Sequence, residues 1–108
     1  MDDFNSRGLT NTAWVSATVG QTNASLFAVL ATAAERCMSD FNAQNLANTA
    51  WAFATAGQKD ASLFGALAAA AQRRMGDFNS QALANTAWAF ATARQDDASL
   101  FAALATAA

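Results

Sequence analysis

The 108-residue chain contains no proline, no histidine and no tyrosine, and it has a single cysteine. Without proline no helix is interrupted by a missing donor, and alanine-rich segments with few β-branched residues favour helix along the whole chain. Without histidine the commonest general base and metal ligand is absent, and without tyrosine so is the phenolic acid. Cys37 cannot form an internal disulfide, which suits a reducing compartment. Charged residues are only 13% of the chain and the net charge is −2, so no overall positive field draws it to nucleic acid or to an anionic membrane. The longest apolar run, 63–71, is mostly alanine and too short to span a bilayer. No metal-ligand cluster, phosphate loop or catalytic pair is present. Ser25, Ser62 and Ser99 have no base to activate them, so neither an enzyme nor a bound cofactor is expected.

What is present is repetition. Trp14, Trp51 and Trp88 stand 37 residues apart, and Phe4, Phe41 and Phe78 keep the same step. A fixed period of this size marks stacked supersecondary units. The chain divides into repeats at 1–37, 38–74 and 75–108, the last three residues short. In the middle copy Asn42 is placed to cap a helix from about Ala43 to Ala56, with Phe41 and Leu46 as a hydrophobic staple. Phe4/Leu9 and Phe78/Leu83 repeat the pairing. Gly57 and Gly20 stand where a left-handed residue ends a helix; Arg94 replaces them in the third copy. Asp60, matched by Asn23 and Asp97, caps a second helix of roughly Ala61 to Arg74, which Gly76 helps to end. Arg73 and Arg74 face the negative end of its dipole, and Asp3, Asp40 and Asp77 precede the first helices.

Two such helices with short loops form an antiparallel hairpin, and one hairpin cannot bury this much apolar surface alone. The expected architecture is an all-α solenoid of three helix–turn–helix repeats. On the first helix, Phe53, Leu46, Ala50, Ala54, Ala47 and Trp51 form an apolar arc, and Gln44, Thr55, Asn48, Ala52, Asn45, Ala56 and Thr49 form the other. Leu63, Phe64, Leu67, Ala68 and Ala71 form the stripe of the second. Trp14, Trp51 and Trp88 are expected in the core between the two helices, with a base-stacking platform as the alternative. Asn11, Asn48 and Asn85 either bond the neighbouring repeat as a structural ladder or contact a ligand. Met1 aligns with the internal Met38 and Met75, and neither end reads as a polar cap. The chain is therefore expected to be a fragment of a longer array that self-associates through uncapped ends. The acidic start Met1-Asp2-Asp3 reads as neither a signal sequence nor a transit peptide.

The run Phe-Asn-x-Gln-x-Leu-Ala-Asn-Thr-Ala-Trp-Ala-Phe-Ala-Thr-Ala, followed by Leu-Phe-x-Ala-Leu-Ala, resembles the octotricopeptide and heptatricopeptide helical-repeat families. Members include algal chloroplast translation factors and the FAST-kinase-like and RAP-domain proteins of organelles. The Pro-Pro-x-x-Trp signature of octotricopeptide repeats is missing, and Ser6, Ala43 and Ser80 stand where relatives often carry proline. The resemblance implies binding of single-stranded RNA in transcript processing, stability or translation, in a chloroplast or mitochondrion. A protein-interaction scaffold of the tetratricopeptide kind, holding a peptide partner, is the alternative. One-base-per-repeat readers discriminate through side chains presented once per repeat. Asn11, Asn48, Asn85 and Thr18, Thr55, Thr92 are the same in every copy, so they serve as generic contacts or scaffold. Arg7/Gln44/Gln81 and Gly8/Asn45/Ala82 vary and would tune base preference.

Overall fold

The computed structural model describes residues 6–20, 23–58, 60–94 and 98–107; the side chains of 6, 7, 98, 99, 103, 106 and 107 lie outside the described set. Its helices are α1 (Ser6–Thr18), α2 (Ala24–Arg36), α3 (Ala43–Thr55), α4 (Ala61–Arg73), α5 (Ser80–Thr92) and α6 (Ala98–Ala107). The described residues form no strand, so the chain is all-α, as its composition requires.

The expected caps set the boundaries. Asn23 accepts from the Leu26 amide at 3.1 Å, Asn42 from Asn45 at 2.7 Å, Asp60 from Leu63 at 3.0 Å and Asn79 from Ala82 at 2.8 Å. Each satisfies a first-turn donor that has no partner within the helix. The cap expected at Asp97, the staple at Phe4 and the acid at Asp3 lie outside the described residues. At the end of α3, Gly57 takes φ +75; its amide reaches the Ala54 carbonyl and that of Gln58 reaches Phe53. This double closure is a Schellman motif. Gly20 takes φ +80, and Arg94 keeps the left-handed geometry at φ 58 despite its Cβ.

Gly76 does not act as a helix-ending glycine. The second helix closes at Arg74, and Gly76 lies inside a short 3-10 turn, Met75–Asp77, matching one at Met38–Asp40. These turns supply the reversal that Gly76 was expected to help make. Arg74 is also used differently from its neighbour Arg73: its Nη2 donates to the Ser39 carbonyl at 2.9 Å, pinning one repeat junction to the previous one.

Three hairpins pack side by side, so that α1, α3 and α5 form one layer and α2, α4 and α6 another. Helices of the first layer approach each other far more closely than those of the second. The first layer meets through small residues: Ala47, Ala50, Ala52 and Ala89 are buried where its helices touch. Larger residues fill the space between layers. Phe27 meets Phe53 edge-on at 5.0 Å, and Phe64 meets Phe90 at 5.1 Å, each pair joining the second helix of one repeat to the first helix of the next. The apolar stripe of α4 is buried throughout, as expected.

The two arcs of the first helix need correction. Thr49 and Ala52 were placed on the polar side but are buried, because that side also packs against the preceding repeat. The Thr49 hydroxyl lies 3.1 Å from that of Thr10, a buried bond across repeats. In the next repeat Thr86 takes the place of Thr49, but the position of Thr10 is held by Ala47. The Thr86 hydroxyl is buried with no partner among the described residues.

Candidate RNA-binding face

The exposed side of the first layer carries the groups with chemical potential. Between the N-terminal halves of α3 and α5 runs an open groove of about 400 Å³. Ala43, Ala47 and Ala82 line its base, and small side chains there keep it open. Gln44 and Asn48 project from α3, Gln81 and Asn85 from α5, one turn apart on each helix. The capping residues Asn42 and Asn79 stand at one end, beside Asp77 from the 3-10 turn. Among the described residues, six amides thus share one groove with one carboxylate and no cation.

Asn48 and Asn85 are half-buried, and among the described residues neither side-chain amide forms a hydrogen bond to the protein. The side-chain bond between the first two repeats joins the hydroxyls of Thr10 and Thr49, and the Asn48 and Asn85 amides keep donor and acceptor capacity at the groove they line. Asn11, their equivalent on α1, is exposed. Of the variable positions, Gln44 and Gln81 enter the groove as side chains and Ala82 contributes only a methyl group, 8% exposed. Asn45 does not line it. Its side chain accepts from the Asn42 amide at 3.1 Å and completes a capping box with Asn42. Gly8 sits half-buried at the equivalent place on α1, and the Arg7 side chain lies outside the described residues.

The tryptophans are not core residues. Trp14 is 44% exposed and Trp88 47%, and Trp51 is half-buried against the edge of the core. On the helix Trp51 lies one turn beyond Asn48 and one turn before Thr55, at the border of the apolar arc. Alanine-to-alanine approach in this layer leaves no room for an indole between helices, so the rings turn outward. Trp14 and Trp51 stack on each other, centroids 6.1 Å apart and planes inclined by 29°. Periodicity could not separate this border position from the core. The neighbouring Gln44 and Thr55 were the signal that it adjoins solvent.

An amide presents a donor and an acceptor side by side, matching the edge of a nucleobase, while indole faces accept stacked bases. A family model describing the RNA-editing substrate-binding complex 6 protein matches residues 1–108, the whole chain. The chain belongs to this family. The match makes it an RNA-associated helical protein, with a role in RNA processing as part of an RNA-editing complex. The match does not show the octotricopeptide or heptatricopeptide family in particular; what it supports is helical structure and an association with RNA. No curated protein and no solved structure matches the chain. No helix among the described residues is long and apolar enough to cross a membrane.

Proposed function

We propose that this member of the RNA-editing substrate-binding complex 6 family binds single-stranded RNA along the exposed side of α1, α3 and α5, as a binding component and not a catalyst. The observation that carries the reading is the amide-lined groove between α3 and α5, in the same layer of helices from which the exposed Trp14 and Trp88 turn outward. Gln44, Asn48, Gln81 and Asn85 address base edges, and Trp14, Trp51 and Trp88 offer ring faces to the same strand. Among the described residues the groove is lined by amides and Asp77 and by no cation, which suits bases better than phosphates. Affinity then comes from bases, and its dependence on salt is shallower than for proteins that neutralise phosphates. An RNA-editing role favours the mitochondrion over the chloroplast.

Intrinsic tryptophan fluorescence, titrated with unstructured RNA at fixed salt, tests the reading. Asn48→Ala and Asn85→Ala should each weaken binding several-fold. Asn45→Ala, outside the groove, should cost about 0.5 kcal/mol of stability through the cap and leave RNA affinity unchanged. Absence of RNA binding by the unaltered chain would refute the proposal. The net charge of −2 and Asp77 favour a second reading, in which the same groove holds the backbone of an extended, basic peptide. Asn48→Ala would then weaken peptide binding instead.

A further inference from the structure

Asp77 is the one carboxylate among the described residues that line the α3–α5 groove, and its side chain makes neither an ion pair nor a hydrogen bond with another described residue. The backbone sets its direction. Phe78 and Asn79 are extended, at φ −80, ψ 128 and φ −87, ψ 178, and alternate residues of an extended segment point to the same side. Phe78 is buried in the core, so Asp77 and Asn79 both face outward, and both line the groove. Capping then fixes which end of each neighbouring amide is left over. Asn79 Oδ1 accepts from the Ala82 amide at 2.8 Å, and on the α3 side Asn42 Oδ1 accepts from that of Asn45 at 2.7 Å. With each oxygen turned to its own helix, the Nδ2 groups remain to donate to the groove.

This end of the groove therefore offers an N–H donor beside the paired acceptor oxygens of a carboxylate, the pattern that cytosine presents to guanine. In single-stranded RNA the Watson–Crick edge is free to meet it. Guanine carries there an acceptor, O6, followed by adjacent donors, N1–H and the N2 amino group. Adenine and cytosine each carry one amino group next to an acceptor, and uracil has one imino N–H between two carbonyls. Hydrogen bonds to an ionised acceptor are the stronger kind, and guanine alone supplies two of them to one carboxylate. Against any other base Asp77 gives up water with too few donors in return, so it selects by penalty as well as by contact.

We propose, resting on RNA binding at this face, that Asp77 makes the α3–α5 groove a guanine site: its carboxylate accepts from N1–H and the N2 amino group while Asn79 Nδ2 donates to O6. Oligouridine carrying a single central guanosine, adenosine, cytidine or inosine tests this against the full chain by tryptophan fluorescence at fixed salt. The guanosine oligonucleotide should bind about tenfold more tightly than the others. Inosine keeps O6 and N1–H but lacks the N2 amino group, and should lose most of that gain. Asp77→Asn keeps the shape of the side chain and should erase the preference for guanosine while leaving affinity for plain oligouridine unchanged. A carboxylate that served only the N-terminus of α5 would give a different result: Asp77→Asn would lower the melting temperature and weaken every oligonucleotide alike, which would overturn the proposal. Equal binding of inosine and guanosine would overturn it as well, and that comparison needs only the unaltered chain should Asp77→Asn fail to fold. Binding of RNA without preference for guanosine would overturn this proposal alone, whereas no binding of any oligonucleotide would overturn the RNA-binding reading with it.

Discussion

Thr49 and Thr86 occupy equivalent positions, are equally buried, and should respond to the same substitution with opposite signs. The Thr49 hydroxyl lies 3.1 Å from that of Thr10. The Thr86 hydroxyl is buried, in a residue 2% exposed, and has no partner among the described residues, because Ala47 stands where the first repeat has Thr10. An intramolecular hydrogen bond contributes about 1 kcal/mol net, whereas a buried hydroxyl without a partner costs about 1–3 kcal/mol. Valine keeps the branched shape and replaces the hydroxyl by a methyl group. Thr49→Val should therefore destabilise by about 1 kcal/mol, and Thr86→Val should stabilise by about 1 kcal/mol. For a chain of this size each kilocalorie moves the melting temperature by about 4 °C or more. Urea titration followed by circular dichroism resolves differences of that size. Ala47→Thr supplies the absent partner and should stabilise the unaltered chain, but not one that already carries Thr86→Val. If Thr86→Val proved as destabilising as Thr49→Val, the account of the threonine ladder would be wrong.

The left-handed helix ends give a second contrast. A Cβ added to Gly57 meets nothing within 4 Å, so Gly57→Ala should cost about 1 kcal/mol from backbone conformation alone, and Arg94→Gly should gain a similar amount in thermal denaturation. Burial separates the aromatics. Phe64→Ala, fully buried, should cost about 3–5 kcal/mol, and Trp88→Ala, 47% exposed, about 1 kcal/mol; equal losses in denaturant titrations would contradict the outward placement of Trp88.

Much of this architecture is legible in the residues themselves. Asn42, Asp60 and Gly57 mark helix ends by local chemistry that needs no knowledge of distant neighbours, and they define the helices they were expected to define. The stripe of α4 is legible for the same reason, since one strongly apolar face has one place to go. Thr49, Ala52 and Trp51 were harder because a first-layer helix has three neighbours: its own partner and the helices before and after it. A helical wheel gives angles, not the identity of what lies at each angle. Small residues such as Ala52 and Thr49 then pack against another helix where a wheel suggests solvent. Asn45 shows a different limit, since an asparagine three residues after a cap is equally suited to closing the box or reaching a ligand. The groove residues Gln44, Asn48, Gln81 and Asn85 were legible because the repeat places identical or similar amides at one angle.

The unequal spacing of the two layers has a geometric consequence. Where α1, α3 and α5 approach through alanine while the other layer is spaced more widely, every hairpin is a wedge, narrow on the first-layer side. Were such wedges stacked in register over many repeats, they would form an arc with the narrow side as its inner wall. The amides and indoles project from that inner wall, so a strand lying along it follows the shorter of the two circumferences. Each additional hairpin would then turn the strand as well as lengthen its track. Enlarging Ala52 or Ala89 would flatten such an arc and, for RNA bound as proposed, change how many nucleotides one repeat spans without altering the groups proposed to touch them.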